Sequence, residues 1–336
     1  MFAFSEIVGH EQIKEHLQTA IREEKPFHAY IFQGEVGVGK ETLAKTFAAG
    51  LQCQGEGTRP CTECISCRQI ESGNQPDIIW VERERASLGV EEIRSQLCNT
   101  MDIKPFSSPY KIYIVPEAEK MTEAAQNALL KTIEEPPEYG VVILLTSNIS
   151  ELLPTIQSRC LTLEFRPLSM TTVEDFLKSQ CQVPDYLARA SAAFAQGNLG
   201  KAMRYAKSED FIERKDKILS LLRNVSRMDV SEMLTVIKDL GTRKEEVRDY
   251  IDLMALWYRD VLIFKATKNI NQLLFQEEST HIAKEAAECS YEKIEEILQA
   301  FEKAKTRLKA NVSFDVTMEL MLLTIKDGNR FSNYWR

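Results

Sequence analysis

The chain has 336 residues, with 42 Lys and Arg against 50 Asp and Glu, so its formal net charge is −8 at neutral pH. Hydrophobic residues make up 44% and charged residues 27%, a composition of ordinary globular proteins that excludes a disordered or fibrous chain. An acidic total argues against the broad electrostatic binding of nucleic acid that a strongly basic domain shows, while leaving room for a few phosphate contacts.

No apolar run approaches the roughly 20 residues that a membrane helix needs, since the longest candidate, Val141–Leu145, has the length of a strand. The first ten residues lack the basic start and the long apolar stretch of a signal peptide, so we expect a cytoplasmic protein. At roughly 100–200 residues per domain, the length predicts two or three domains.

The first half of the chain alternates short β-rich runs with helical segments. The predicted strands are Ala29–Gln33, Asp77–Val81, Lys111–Val115, Val141–Thr146 and Leu161–Phe165. The predicted helices between them are notably Glu41–Cys53, Val90–Met101 and Thr122–Glu134. Strands that alternate with helices indicate parallel βαβ units. Residues 1–166 are therefore predicted to form an α/β domain in which a parallel sheet lies between helices.

The second half is predicted to be helical. All 11 prolines lie at or before Pro184, and glycine is nearly absent after Gly200, as uninterrupted helices require. Apolar residues there recur at helical spacing. We predict a small helical domain over residues 167–207 and an all-α domain over residues 208–336.

A glycine-rich motif follows the first predicted strand. Residues 34–40 read GEVGVGK and match G-x-x-x-x-G-K, directly before a predicted helix. In such a loop the glycines let the backbone wrap a phosphate, the helix N-terminus supplies free N–H donors, and Lys40 adds a positive charge. The alternative is a tight glycine-rich turn with a surface lysine.

Two positions depart from a hydrolysing site. Such a site needs Ser or Thr directly after the lysine to hold Mg²⁺, but Glu41 stands there and Thr42 comes one residue later. The apolar strand that ends at Val115 runs into Pro116, which has no side-chain oxygen to hold the metal. The predicted degenerate nucleotide site comprises Gly34, Gly37, Gly39, Lys40, Glu41 and Thr42. Hydrolysis there is not expected, and ATP binding stays open.

Cysteines cluster shortly after this helix. Cys53, Cys61, Cys64 and Cys67 place four soft ligands within fifteen residues, in a loop that contains glycine and proline. Four thiolates at this spacing suit tetrahedral Zn²⁺, and a site with four protein ligands is structural because no position is left for water. A disulfide and an iron–sulfur cluster are the alternatives.

Longer strings of residues resemble a known family. Residues 124–137, AAQNALLKTIEEPP, are similar to the bacterial clamp-loader branch of the AAA+ ATPases. Further strings agree in chain order: HAYIF at 28–32, VEEIR at 90–94, TIQSRC at 155–160 and NVSFD at 311–315. The resemblance implies an AAA+ domain with a zinc module at residues 53–67, a helical lid domain, and a C-terminal collar domain that joins subunits.

The resemblance also implies a function. Clamp loaders are heteropentamers of ATP-hydrolysing motor subunits, a delta subunit and a stator, and they place a sliding clamp around primer-template DNA in replication. Glu41, Pro116, and Gly200 where motors carry a nucleotide-sensing arginine favour the non-hydrolysing stator. Arg159, in Ser158–Cys160, matches the motif that supplies an arginine finger to a neighbouring subunit's ATP, so it is expected to be catalytic in trans.

Two other functions are consistent with parts of the sequence. A motor subunit of the same family, which hydrolyses ATP itself, could use Thr42 and Glu117 in place of the usual pair. A zinc-dependent nucleic-acid-binding protein would need basic and aromatic residues around the cysteines, where only Arg59 and Arg68 are basic and no aromatic residue is interleaved.

Overall fold

The structure is a computed structural model and describes residues 3–225, 227–241, 247–310 and 312–327. Asn311, from one of the strings quoted above, and residues 328–336 of the predicted C-terminal domain lie outside the described residues. The described residues up to Phe176, together with Gly197–Lys201, form one compact unit. Leu177–Gln196 and the residues from Ala202 onward form a second. The division into three domains remains a prediction. None of the helices in the described ranges is long and apolar enough to cross a bilayer.

The first unit is built on a parallel sheet of five strands. The strands are β1 (Ala29–Gln33), β2 (Ile78–Trp80), β3 (Lys111–Val115), β4 (Gly140–Thr146) and β5 (Leu161–Glu164). Their spatial order is β2-β3-β4-β1-β5, and every neighbouring pair is parallel. The predicted parallel sheet is confirmed, with strand ends that differ from the sequence prediction by at most one residue.

Helices lie on both faces of this sheet. They are α1 (Glu11–Arg22), α2 (Lys40–Gln52), α3 (Ile65–Glu71), α4 (Val90–Ile93), α5 (Asn99–Met101), α6 (Glu123–Glu134) and α7 (Pro154–Gln157). A π-helical turn, Arg94–Cys98, joins α4 to α5, so the predicted helix Val90–Met101 is one continuous run. The hydroxyl of Thr122 caps α6 by accepting a hydrogen bond from the backbone N–H of Ala125.

The sheet separates two apolar cores because successive strand residues point to opposite faces. Tyr30 and Phe32 of β1 pack with Leu43 and Phe47 of α2 on one face. Ile31 of β1 belongs to the core on the other face, with residues of α6. Both faces of β1, β3 and β4 are buried, which explains their nearly continuous apolar sequences. Because the strands themselves are apolar, polar candidates such as Lys40 and Glu119 lie in the segments that follow the carboxyl ends of β1 and β3.

The rest of the described chain is mainly helical, as predicted. The helices are α8 (Met170–Ser179), α9 (Asp185–Ala195), α10 (Leu199–Lys207), α11 (Glu209–Asn224), α12 (Val230–Gly241), α13 (Val247–Thr267), α14 (Ser279–Glu288), α15 (Tyr291–Lys309) and α16 (Phe314–Asp327). Trp257 and Tyr258 of α13 and Phe301 of α15 are fully buried. Buried Asp260 accepts hydrogen bonds from the backbone N–H groups of Leu274 and Phe275, which fixes the loop after α13.

Candidate functional site

The glycine-rich motif forms a loop between β1 and α2. Gly37 and Gly39 have φ values of 93° and 103°, which only glycine adopts without strain. Lys40 is the first residue of α2, so the free N–H groups of this helix end open towards the loop. Glu41 and Thr42 follow in the first turn, and both side chains are exposed.

The amine of Lys40 is turned back on its own loop. It donates hydrogen bonds to the backbone carbonyl oxygens of Gly34 and Glu35, the latter at 2.8 Å. The side chain is 8% exposed. Burial lowers the pKa of Lys40, and the carboxylates of Glu119, Glu41 and Glu35 oppose that shift. The amine that would bind a phosphate is therefore already hydrogen-bonded to its own loop and lies in the field of three carboxylates.

A distant segment covers the loop. The side-chain amide of Asn198 donates to the carbonyl oxygen of Val36, and the backbone N–H of Gly200 donates to the carbonyl oxygen of Gly37 at 2.9 Å. A Cβ atom on Gly200 would lie 2.8 Å from that oxygen and 2.9 Å from the Cα of Gly37. Moving these backbone atoms would be energetically costly, so no larger residue fits at position 200 while the loop keeps this conformation.

The end of β3 lacks the usual metal-holding acid. Pro116 follows the strand, and Glu117 has a left-handed φ of 45°. Its carboxylate forms an ion pair with Arg83 at 2.7 Å. Glu119, which sequence reasoning missed, accepts hydrogen bonds from the backbone N–H and the hydroxyl of Ser147. Burial raises the pKa of Glu119, but these hydrogen bonds outweigh it and leave the pKa below its ordinary value.

Arg159 lies two residues after the end of α7. Its Nη2 lies 2.9 Å from Oε1 of Glu134, and its Nη1 donates to the carbonyl oxygen of Thr155 at 2.9 Å. The side chains of Arg159 and Glu134 are 39% and 44% exposed. Burial lowers the pKa of His28, and a hydrogen bond to the backbone of Arg159 opposes that shift. Among the described residues, none of these polar partners of Arg159 belongs to the glycine-rich loop.

The four predicted cysteine ligands come together. Their sulfur atoms all lie within 4.8 Å of one another, although Cys53 directly follows α2 and Cys67 lies within α3. Backbone N–H groups point at the sulfurs, as in the 3.3 Å hydrogen bond from Cys64 to Sγ of Cys61.

The chemistry of these groups fits a metal ion. Burial raises the pKa of Cys64, but hydrogen bonds from the backbone of Cys67 and Gln54 outweigh it and lower that pKa to about 6. A thiolate is the form that binds metals. Burial raises the pKa of Cys53 and Cys67, so these two thiols would lose their protons on binding the metal itself. The short distances among the four sulfurs allow the set to hold one metal ion with protein sulfur alone.

Comparison with known proteins identifies the family. A family model described as "DNA polymerase III, delta subunit" matches residues 9–169, and a model of the C-terminal part of the same subunit matches residues 208–325. The DNA polymerase III subunit delta' of Bacillus subtilis is 32% identical over 93% of this chain and 94% of its own length. The subunit tau of the same organism is 28% identical over 94% of this chain and 60% of its own length.

A solved structure aligns over almost the whole chain. It is a DNA polymerase III gamma subunit-related protein of Thermotoga maritima, with a TM-score of 0.44, 18% identity, and coverage of 93% of this chain and 98% of its own. The match to the delta' subunit extends over both units of the present chain. The chain therefore belongs to the DNA polymerase III clamp-loader family, together with the delta' subunit of Bacillus subtilis.

Proposed function

We propose that this chain is the non-hydrolysing delta' stator of the DNA polymerase III clamp loader, and that Arg159 serves the ATP of a neighbouring motor subunit. The assignment as a non-hydrolysing stator rests on one observation, the closed conformation of the phosphate loop. Lys40 is hydrogen-bonded to carbonyl oxygens of its own loop, and Gly200 packs against Gly37.

ATP would have to displace several contacts to enter this loop. Its phosphates need the amine of Lys40 and the free backbone N–H groups at the start of α2. They would also meet the carboxylates of Glu35, Glu41 and Glu119, which already act on Lys40. Mg²⁺ would find Pro116 instead of a carboxylate at the end of β3. Each departure weakens a different hydrolytic contact, and together they favour a stator.

The trans role of Arg159 is supported by its exposure and its position. The guanidinium is partly exposed, and its polar partners in the described chain lie outside the glycine-rich loop. It has five N–H donors, of which those on Nη1 and Nη2 engage Glu134, Thr155 and Ser158. An arginine that reaches a γ-phosphate from another subunit stabilises the charge of the transition state, with rate effects of about 10³–10⁵ in well-studied cases. The same chain would then be idle in cis and catalytic in trans.

We further infer that the cysteine cluster holds a structural Zn²⁺ ion. Thiolates select soft metals, and four of them leave no coordination site for a reacting water. The ion would tie the end of α2 to α3 by bonding Cys53, Cys61, Cys64 and Cys67. Its contribution is to folding, because those ligands lie on a loop with little apolar core of its own.

We expect this chain to act as one subunit of a larger complex. A stator of this type assembles with motor subunits and a delta subunit in a heteropentamer, with the helical C-terminal part as the collar. Through that complex it meets the sliding clamp and primer-template DNA. We accordingly expect it in the cytoplasm, at the nucleoid.

The test is a reconstituted loader with Arg159→Ala. DNA- and clamp-stimulated ATP hydrolysis should fall severalfold, while assembly, followed by sedimentation, should persist. Arg166→Ala is the matched control, since Arg166 is exposed and pairs only with nearby Glu164 among the described residues. Unchanged turnover with Arg159→Ala would remove the trans role. If instead the isolated chain hydrolyses ATP, and Lys40→Ala abolishes that hydrolysis, the chain is a motor subunit of the gamma/tau type.

A further inference from the structure

In the free chain, the carboxylate of Glu134 forms an ion pair with the guanidinium of Arg159. Oε1 of Glu134 lies 2.9 Å from Nη2, at the point where α6 ends and the residues after α7 begin. Nη1 of the same group is held separately, by the carbonyl oxygen of Thr155 and, at 3.4 Å, by the hydroxyl of Ser158. The two ends of the guanidinium thus have different kinds of partner, one charged and one neutral.

On the basis of the trans role of Arg159 proposed above, we propose that Glu134 is a placeholder for the γ-phosphate of the neighbouring subunit. Glu134 neutralises Arg159 while the adjoining site is empty, and Nη2 exchanges the carboxylate for phosphate when ATP arrives. Glu134 is therefore a positioning residue that acts through Arg159.

The chemistry of the two oxyanions supports such an exchange. Carboxylate and phosphate oxygens are both recognised by the planar N–H fork of arginine. A carboxylate that stayed beside Arg159 would repel an arriving γ-phosphate of the same sign. The contact to Thr155 carries no such conflict, because a neutral carbonyl oxygen can keep Nη1 in place throughout. The contact with Thr155 then keeps the guanidinium oriented, and the loss of the contact with Glu134 frees Nη2 for the phosphate.

The solvent exposure of the Arg159–Glu134 ion pair limits how strongly it can oppose ATP binding. Both side chains are more than a third exposed, so water screens the ion pair. Exposed pairs of this kind are worth about 0–1 kcal/mol, equivalent to at most about a fivefold change in an equilibrium constant. An ATP-bound neighbour can overcome a contact of this strength, and its loss would be measurable as a change in apparent ATP affinity.

The experiment is steady-state ATPase of the reconstituted loader with Glu134→Gln. We expect the KM for ATP to fall by about two- to fivefold, with kcat unchanged, because only the competing charge is lost. Glu135→Gln is the matched control: it removes the same charge from the exposed neighbouring residue and should leave both constants unchanged. In an Arg159→Ala background, Glu134→Gln should change neither constant.

The outcomes separate this proposal from the one on which it rests. An unchanged KM with Glu134→Gln, or a lowered kcat, would overturn the placeholder role, since the second result means that the pair persists in the transition state. An equal shift with Glu135→Gln would reduce the effect to general surface charge and also overturn it. Arg159→Ala without effect on turnover would defeat the proposed trans role itself, whatever Glu134→Gln does.

Discussion

The side-chain amide of Asn198 donates a hydrogen bond to the carbonyl oxygen of Val36 at 2.8 Å, across 162 residues of sequence. Asn198 also caps α10, because its Oδ1 accepts from the backbone N–H of Lys201 at 3.1 Å. One buried side chain thus fixes both the glycine-rich loop and the start of the helix that follows it. Movement of the loop towards an incoming phosphate has to break this link.

Gly200→Arg, which introduces the arginine that the family resemblance implies for motor subunits, is expected to destabilise the chain without conferring ATP binding. The clash begins at Cβ, which would meet the backbone of Gly37, so Gly200→Ala should show part of the same loss. Overpacking of this kind costs about 1–3 kcal/mol. Urea unfolding and titration with a fluorescent ATP analogue measure the two effects. A variant of wild-type stability that binds the analogue would contradict the closed loop.

Glu119→Gln is expected to raise the affinity for nucleotide. Among the carboxylates that act on Lys40, Glu119 has the largest influence, and removing its charge should favour an anion by about 1–2 kcal/mol. Glu117→Gln is the control, since that carboxylate is already paired with Arg83. Binding of a fluorescent ADP analogue provides the measurement. Equal affinities of Glu119→Gln and wild type would show that the loop is closed for steric reasons alone.

Removal of the metal is expected to lower the melting temperature. Purified chain should contain one zinc ion per molecule by elemental analysis, and a chelator should remove it together with part of the stability. Cys64→Ser should lose the metal, whereas Cys98→Ser, whose thiol donates to a backbone carbonyl outside the cluster, should retain it. Iron and visible absorbance in place of zinc would identify the cluster as iron–sulfur.

Asp77→Ala is expected to destabilise the first unit. Its buried carboxylate accepts hydrogen bonds from the backbone N–H groups of Phe106 at 2.6 Å and Ser107 at 2.9 Å, just before β3. Leaving both donors unpaired should cost about 2–5 kcal/mol. Asp102→Ala, at an exposed position, serves as the control in urea unfolding. A loss no larger than that of the control would show that the loop finds other acceptors.

The stability of the first unit is expected to decline as pH falls. Burial lowers the pKa of His10, and the contact of its Nε2 with the carbonyl oxygen of Val38 opposes the shift. An unfolded histidine takes up its proton near pH 6.5, while the folded one resists it, so stability is full above that pH and is lost below it.

His10→Gln should flatten this dependence between about pH 7 and pH 5. His16→Gln, at an exposed position of α1, should leave it unchanged. Denaturant midpoints measured across the pH range provide the comparison. Parallel curves for wild type and His10→Gln would show that other groups set the slope.

Much of the fold followed from local patterns. Continuous apolar runs predicted the strands, and the order of strands and helices predicted a parallel sheet, because a parallel connection needs a crossover helix. The spacing of the cysteines placed four sulfurs on one loop, where short sequence separation forces proximity. Strand ends were less accurate: Asp77 was included in a strand but lies just before β2, although its carbonyl oxygen accepts a hydrogen bond from the backbone N–H of Ile112. Its side chain holds a segment far along the chain, by accepting hydrogen bonds from the backbone N–H groups of Phe106 and Ser107.

The sequence by itself determined which residue types are present: a loop with Lys40 but without a magnesium ligand, a cysteine cluster, and an arginine in a clamp-loader motif. Only the tertiary structure decided what those residues touch. Asn198 reaches the loop from far along the chain, and Glu134 meets Arg159 from another helix. Such partners depend on how the sheet brings distant segments together, and no local periodicity encodes that packing.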